Sequence, residues 1–187
     1  MKVSKAQASD NRDAILQAAS TQIRSHGFEQ TSVAEVAQAA GLTHGALYSH
    51  FKSKEALTSA AIRCAFEDCV REFTGLPAGE FLDLYLSTEH RDNPAVGCPT
   101  AALVSEVARQ PLELQTAFRS GAESFIALAE ESLKAAGAEH SRDRAVLMFA
   151  AIVGSLALSR AFRAVDESAS AEILRTVNDQ LGEMLEG

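Results

Sequence analysis

The chain has 187 residues, 47% hydrophobic and 22% charged, with a net charge of −8, a composition that excludes intrinsic disorder and allows one domain or a small domain joined to a larger one. The acidic total does not exclude nucleic acid, because up to residue 55 six Lys/Arg stand against five Asp/Glu, whereas beyond it eleven stand against twenty. The N-terminal segment can approach a polyanion while the acidic remainder is held away from it.

Met1 to Asn11 is polar and lacks the apolar core of a signal peptide. Ile15, Ala19 and Ile23 recur at four-residue steps and predict a first helix from about Ser9 or Asp10 to Ser25, stopped by Gly27. "TSVAEVAQAAG" opens with a capping-box pattern, Ser32 and Glu35, and ends at Gly41, with Val33, Val36 and Ala37 as its inner face. Thr43 caps a short third helix to about Phe51, burying Leu47 and Phe51. Ser53 caps a long fourth helix striped by Ile62, Phe66, Cys69 and Phe73, and "TGLPAG" (74–79) breaks it. Further helices are expected over about 79–87, 99–109, 112–136, 141–164 and 168–185. The breaks between them are 87–97, Gln110-Pro111, "AAGAEH" and "AVDESAS". No segment shows a period of two, so the fold class is all-α with about nine helices.

Two short helices around the turn Ala39-Ala40-Gly41-Leu42 form a helix-turn-helix, in which the second helix lies in the DNA major groove with its N-terminal residues at the base edges. That presents Thr43, His44 and Gly45 first, then Tyr48, Ser49 and His50. Gly45 removes bulk and lets the backbone come close, while the Tyr48 and Ser49 hydroxyls and the His50 ring suit phosphate oxygens. Lys54 adds a cation beside the free N–H groups that start the fourth helix. Each feature alone also suits an ordinary helical bundle; their combination in one short stretch points to DNA.

Residues 31–57, "TSVAEVAQAAGLTHGALYSHFKSKEAL", resemble the DNA-binding domain of the TetR family of bacterial transcriptional repressors. The pattern LY-x-HF-x-SK-E-L is matched without a gap from Leu47 to Leu57, and the close likeness runs over residues 12–57. The resemblance implies that Tyr48, His50 and Lys54 contact phosphates and that His44, Gly45 and Ser49 face the groove. It divides the chain into an N-terminal three-helix helix-turn-helix DNA-binding domain (1–53) and a C-terminal helical ligand-binding and dimerisation domain (54–187). It also implies a homodimer on a palindromic operator in double-stranded DNA, released by a small-molecule inducer and held together by the last two helices.

The segment "RAVLMFAAIVGSLALSRAFR" (144–163) is apolar nearly all round, and the last helix carries a stripe at four-residue steps. Val146, Phe149, Val153 and Leu156 with Ile173, Val177, Leu181 and Leu185 are therefore the expected dimer interface. The apolar run 145–154 is too short to cross a bilayer, so no membrane is expected.

An inducer cavity is expected to be lined by Phe66, Phe81, Tyr85, Cys98, Phe118, Phe125 and Met148, which favours an aromatic or lipophilic molecule; the same residues also suit a plain core. Cys98 precedes Pro99 at an expected helix N-terminus, where free N–H groups lower a thiol pKa, and Arg91 or Arg109 adds to this if near. A partly exposed Cys98 would be a redox or electrophile sensor, as its Gly-Cys placement resembles some TetR-family repressors; a buried one would pack inertly. Cys64 and Cys69 are five apart and do not share a helix face, so no metal site is expected. Three cysteines without an export signal imply reduced thiols and a cytoplasmic protein. For an enzyme, Cys98 with His90 or His140 is the best assembly available; none at recognisable spacing exists, so neither catalysis nor a cofactor is expected.

Overall fold

Ser4 starts the first helix by accepting the Gln7 N–H on its hydroxyl at 3.1 Å, which brings the helix start forward of Ser9. The computed structural model describes residues 4–186, and among them are ten helices and no strand. They are α1 (Lys5–Gln30), α2 (Val33–Ala39), α3 (His44–His50), α4 (Lys54–Phe73), α5 (Ala78–Tyr85), α6 (Thr88–Asp92), α7 (Pro99–Val107), α8 (Leu112–Ala135), α9 (Ser141–Phe162) and α10 (Glu167–Glu186). Gly27 breaks α1 with φ of 79°, a conformation that favours glycine, and the chain then turns toward α2. The helix beyond the expected nine is α6, capped by Ser87 on the His90 N–H at 3.0 Å. Five residues are too few to display a period.

Two apolar clusters hold the molecule. The first joins α1, α2 and α3 (Ile15, Ile23, Val36, Leu47) to α4, α7 and α8 through Leu57, Phe66, Leu103 and Phe118. Packing therefore runs straight across the expected boundary at residues 53/54. The second encloses Cys69, Phe73, Tyr85, Cys98, Phe125 and Met148 between α4, α5, α7, α8, α9 and α10. Twenty residues make α4 about 30 Å long, enough to connect the two.

The expected dimer residues need correction. Phe149, Val153, Leu156 and Leu181 are buried within the protomer, and Val177 and Leu185 pack part-buried against the second cluster. Ile173 is half-buried and Val146 exposed. A helix that is apolar all round does not reveal which half its own chain covers. The open half of α9 consists of Val146, Leu147, Ala150, Leu158 and Phe162. At 22 residues and mean hydropathy up to 1.9, α9 also has the length and apolarity of a membrane span, contrary to the expectation from 145–154 alone. Its inner side is built as a core helix instead, with buried Ser159 hydrogen-bonded to Ser170 of α10 at 2.8 Å.

α4 and α8 cross closely at Gly121. A Cβ at Gly121 would stand 2.2 Å from Phe66 Cγ and 2.8 Å from its Cβ, too near the root of that side chain for a rotation to relieve. Gly121→Ala should destabilise the protein by about 1–3 kcal/mol through overpacking, read as a lower urea midpoint with unchanged m-value.

Candidate nucleic-acid interface and the linked cavity

The turn between α2 and α3 closes through two backbone bonds, Leu42 N–H to Ala37 O at 2.9 Å and Gly41 N–H to Gln38 O at 3.0 Å. This is a Schellman arrangement, and it needs Gly41 at φ 70°. Thr43 then caps α3 by accepting the Ala46 N–H at 3.2 Å, and Leu47 anchors the helix in the first cluster. Burying Leu47 turns the opposite face outward: Thr43, His44, Gly45, Tyr48 and Ser49 are exposed and His50 is half-buried. Tyr48, 44% exposed, stacks edge-on against His44 with ring centres 5.0 Å apart, which pre-orders two candidate DNA contacts. Ser49 Oγ donates to the Ala46 carbonyl at 2.6 Å, leaving its lone pairs outward.

Lys54 is exposed beside this face, its Nζ donating to the Phe28 carbonyl at 3.4 Å. Arg12 was not singled out from sequence. Its guanidinium lies 4.4 Å above the Phe51 ring and donates to the His50 carbonyl at 3.4 Å, so α1 buttresses the end of α3. The RDAIL context gave no periodic or charge signal for that contact.

At the far end of α4, a cavity of about 390 Å³ opens among Phe73, Leu76, Phe81, Phe125, Leu128, Ala129, Leu133, Met148 and Leu185, with Glu131 and Ser132 at its wall. Of the residues expected there, Phe81, Phe125 and Met148 line it. Phe66 and Phe118 do not: they stack on each other at 5.5 Å in the first cluster, because α4 turns that part of its stripe toward α8 at Gly121. Tyr85 and Cys98 lie one layer deeper, both fully buried.

That deeper layer is polar. Cys98 does stand at the start of α7, but the expected partial exposure fails, since α5, α6 and α9 close over it. Burial alone would push its thiol up. The nearness of Cys69, of the Tyr85 hydroxyl and of the Ala101 and Thr100 backbone outweighs burial and draws it down to about 6. The neighbouring Cys98, with burial, pushes Cys69 well up, and burial with Asp68 and Glu67 pushes Cys64 up to about 11. His90 accepts the Cys98 N–H on Nε2 at 2.9 Å, which leaves Nδ1 protonated and donating to the Tyr85 carbonyl at 2.7 Å. Arg160 donates to the His90 and Arg91 carbonyls, both at 3.0 Å. Arg24 of α1 holds the Gly97 carbonyl at 3.0 Å, and Glu106 of α7 accepts the Phe28 N–H at 3.1 Å. α1 is thus bonded to the elements around the cavity. His140 is an exposed residue far along the chain in the α8–α9 turn and joins no cysteine.

Residues 15–61 match the family model for bacterial regulatory proteins of the tetR family. Over 57 residues the chain is 40% identical to the HTH-type transcriptional repressor KstR2 of Mycolicibacterium smegmatis; that stretch covers 30% of this chain and 28% of the relative. Two solved structures share the fold at low identity. One is Escherichia coli NemR in its reduced form, with TM-score 0.75 and 21% identity over 91% of this chain and 94% of that one. The other is a TetR-family transcriptional regulator from Agrobacterium tumefaciens, with TM-score 0.71 and 22% identity over 92% of this chain and 98% of that one.

Burial is the main cause that pushes the His90 imidazole down to about 4. Between pH 6.5 and 4 the unfolded chain takes up a proton that the folded one refuses, so stability falls as pH falls through that window. Urea denaturation should show a loss of about 2 kcal/mol from pH 7 to pH 5 attributable to this group, and His90→Gln should remove that part of the slope.

Proposed function

We propose that this chain, whose N-terminal region carries the TetR-family DNA-binding domain, is a transcriptional repressor acting in the cytoplasm. It binds a palindromic operator as a homodimer and releases it when a small aromatic or lipophilic inducer occupies the cavity. The observation that carries this reading is the outward face of α3: a short helix, fixed from behind by Leu47 and the Gly41 turn, presents Thr43, His44, Gly45, Tyr48 and Ser49 with Lys54 alongside. Residues 1–53 read DNA in this proposal, and 54–187 bind the inducer and dimerise.

The open half of α9 supports the homodimer. Leu147 and Leu158 are 56% and 53% exposed, and no charged residue interrupts the face between Val146 and Phe162. A second copy related by a two-fold axis would cover it, and two heads would then meet half-sites about one helical turn apart or a multiple of it. The inducer would act through α4, which starts at Lys54 beside the DNA face and ends with Phe73 on the cavity wall. Only a ligand with different affinities for the two head spacings can release DNA.

Purified protein should prefer a genomic fragment containing its operator over random DNA at low salt; equal retention of all fragments would sink the proposal. Lys54→Ala should weaken binding to all sequences alike and lower the salt slope by about 1, as one phosphate contact is lost. His44→Ala should change base preference and leave the slope in place. Because Leu158 is open in the protomer, Leu158→Asp should keep the fold and its melting temperature while light scattering reports a monomer. A dimer that survives this change would place the interface on another face.

A further inference from the structure

The chain between the break in α1 and the start of α2 is held by side chains from three other places in the fold. Gly27, at φ 79°, turns the Gly27–Phe28 peptide out of the helical path, and both polar groups of that peptide find side-chain partners. Glu106 Oε2, on the last turn of α7, accepts the Phe28 N–H at 3.1 Å. The buried Thr31 hydroxyl donates to the Gly27 carbonyl at 2.8 Å. One peptide further on, Lys54 Nζ from the first turn of α4 donates to the Phe28 carbonyl at 3.4 Å. The Phe28 ring is buried in the first cluster, so this residue is fixed at its side chain and at both backbone groups.

We infer that Glu106 is a positioning residue for DNA binding: through the Phe28 backbone it holds Lys54 where its ammonium meets a phosphate. The inference rests on the proposed role of Lys54 as a phosphate contact. Lys54 is exposed and forms no ion pair among the described residues, and the Phe28 carbonyl is the polar anchor of its long stem. An ammonium has three donors, and one given to a carbonyl leaves two for phosphate oxygens. A lysine held this way before DNA arrives loses less rotamer freedom on binding than a free one. Without Glu106 the Gly27–Phe28 peptide can swing about Gly27, and the carbonyl on which Lys54 rests moves with it.

The seat of Glu106 is close-fitting. A Cβ at Gly27 would stand 2.5 and 2.7 Å from the two carboxylate oxygens, so the carboxylate fills the space a larger residue would need. A side chain shorter by one methylene would withdraw the acceptor by about 1.5 Å and leave the Phe28 N–H unmet. In this role Glu106 serves as an acceptor of the right reach, and its charge is incidental. As a charge alone it would oppose DNA, because at low salt the screening length reaches about 30 Å and a carboxylate next to a phosphate contact repels the backbone. The two roles therefore give opposite signs when Glu106 is replaced.

The test measures binding of the full-length protein to a labelled random-sequence duplex by fluorescence anisotropy over a salt series, with Lys54→Ala setting the scale. Glu106→Ala and Glu106→Asp should weaken binding about threefold to tenfold at low salt and lower the salt slope toward the Lys54→Ala value. Glu106→Gln keeps the acceptor and should bind at least as tightly as the wild type. In a Lys54→Ala background, Glu106→Asp should cost nothing further, whereas general damage to the fold would subtract again. Should Glu106→Ala lose its helix content by circular dichroism, Glu106→Asp carries the comparison. Unchanged or tighter binding by Glu106→Asp, a loss in Glu106→Gln equal to that in Glu106→Asp, or a further loss in the double variant would overturn the inference and leave the role of Lys54 standing. A Lys54→Ala protein that binds as the wild type does would overturn both.

Discussion

A buried arginine decides how the N-terminal helices sit on the rest of the molecule. Arg24 is nearly inaccessible on α1 and has no carboxylate, so its guanidinium must satisfy itself with the Ser20 carbonyl, the Ser20 hydroxyl and the Gly97 carbonyl. Leaving such a charge unpaired costs several kcal/mol, which makes the loop before α7 a fixed partner of α1. Everything that touches that loop is thereby in contact with α1. The Glu106 carboxylate adds a second tie at Phe28, and it fills the space beside Gly27 that a Cβ would need.

From Gly97 the bonded path continues inward. Cys98 gives its N–H to His90, His90 gives its Nδ1–H to the Tyr85 carbonyl, and Tyr85 packs on rings that face the cavity. Arg160 holds the same peptide segment from α9. Cavity wall, the Cys98 backbone and α1 are thus consecutive parts of one path set inside two apolar clusters. A helix strut, α4, runs parallel to it from Phe73 to Lys54. Polar groups buried this way are tolerated only when their bonds are made, and this is why a small displacement at one end must be taken up somewhere else along the chain.

How much of this was legible in the sequence differs sharply between the two regions. Residues 31–57 announce themselves because their determinants are local: a capping box, a glycine that the Schellman turn requires, Thr43 as a cap and Leu47 as an anchor three and four residues away. Local hydrogen bonds and nearest-neighbour spacing are properties of the linear chain, so the helices and the outward face of α3 follow from it. The all-α class follows for the same reason.

Which half of α9 lies inward was decided only in three dimensions. Val153 and Leu158 are equally apolar, yet one is buried against the second cluster and the other open, because α8 and α10 cover a single side. The same holds for Phe66 and Phe81: close contact at Gly121 of α8 holds the Phe66 ring of α4 in the first cluster, whereas α5 places Phe81 on the cavity wall. The bonds that tie Arg24, Tyr85, His90 and Arg160 to the segment 90–98 have no linear signature at all. They depend on long-range packing, where every apolar residue has several possible partners and only the whole set of simultaneous contacts selects among them.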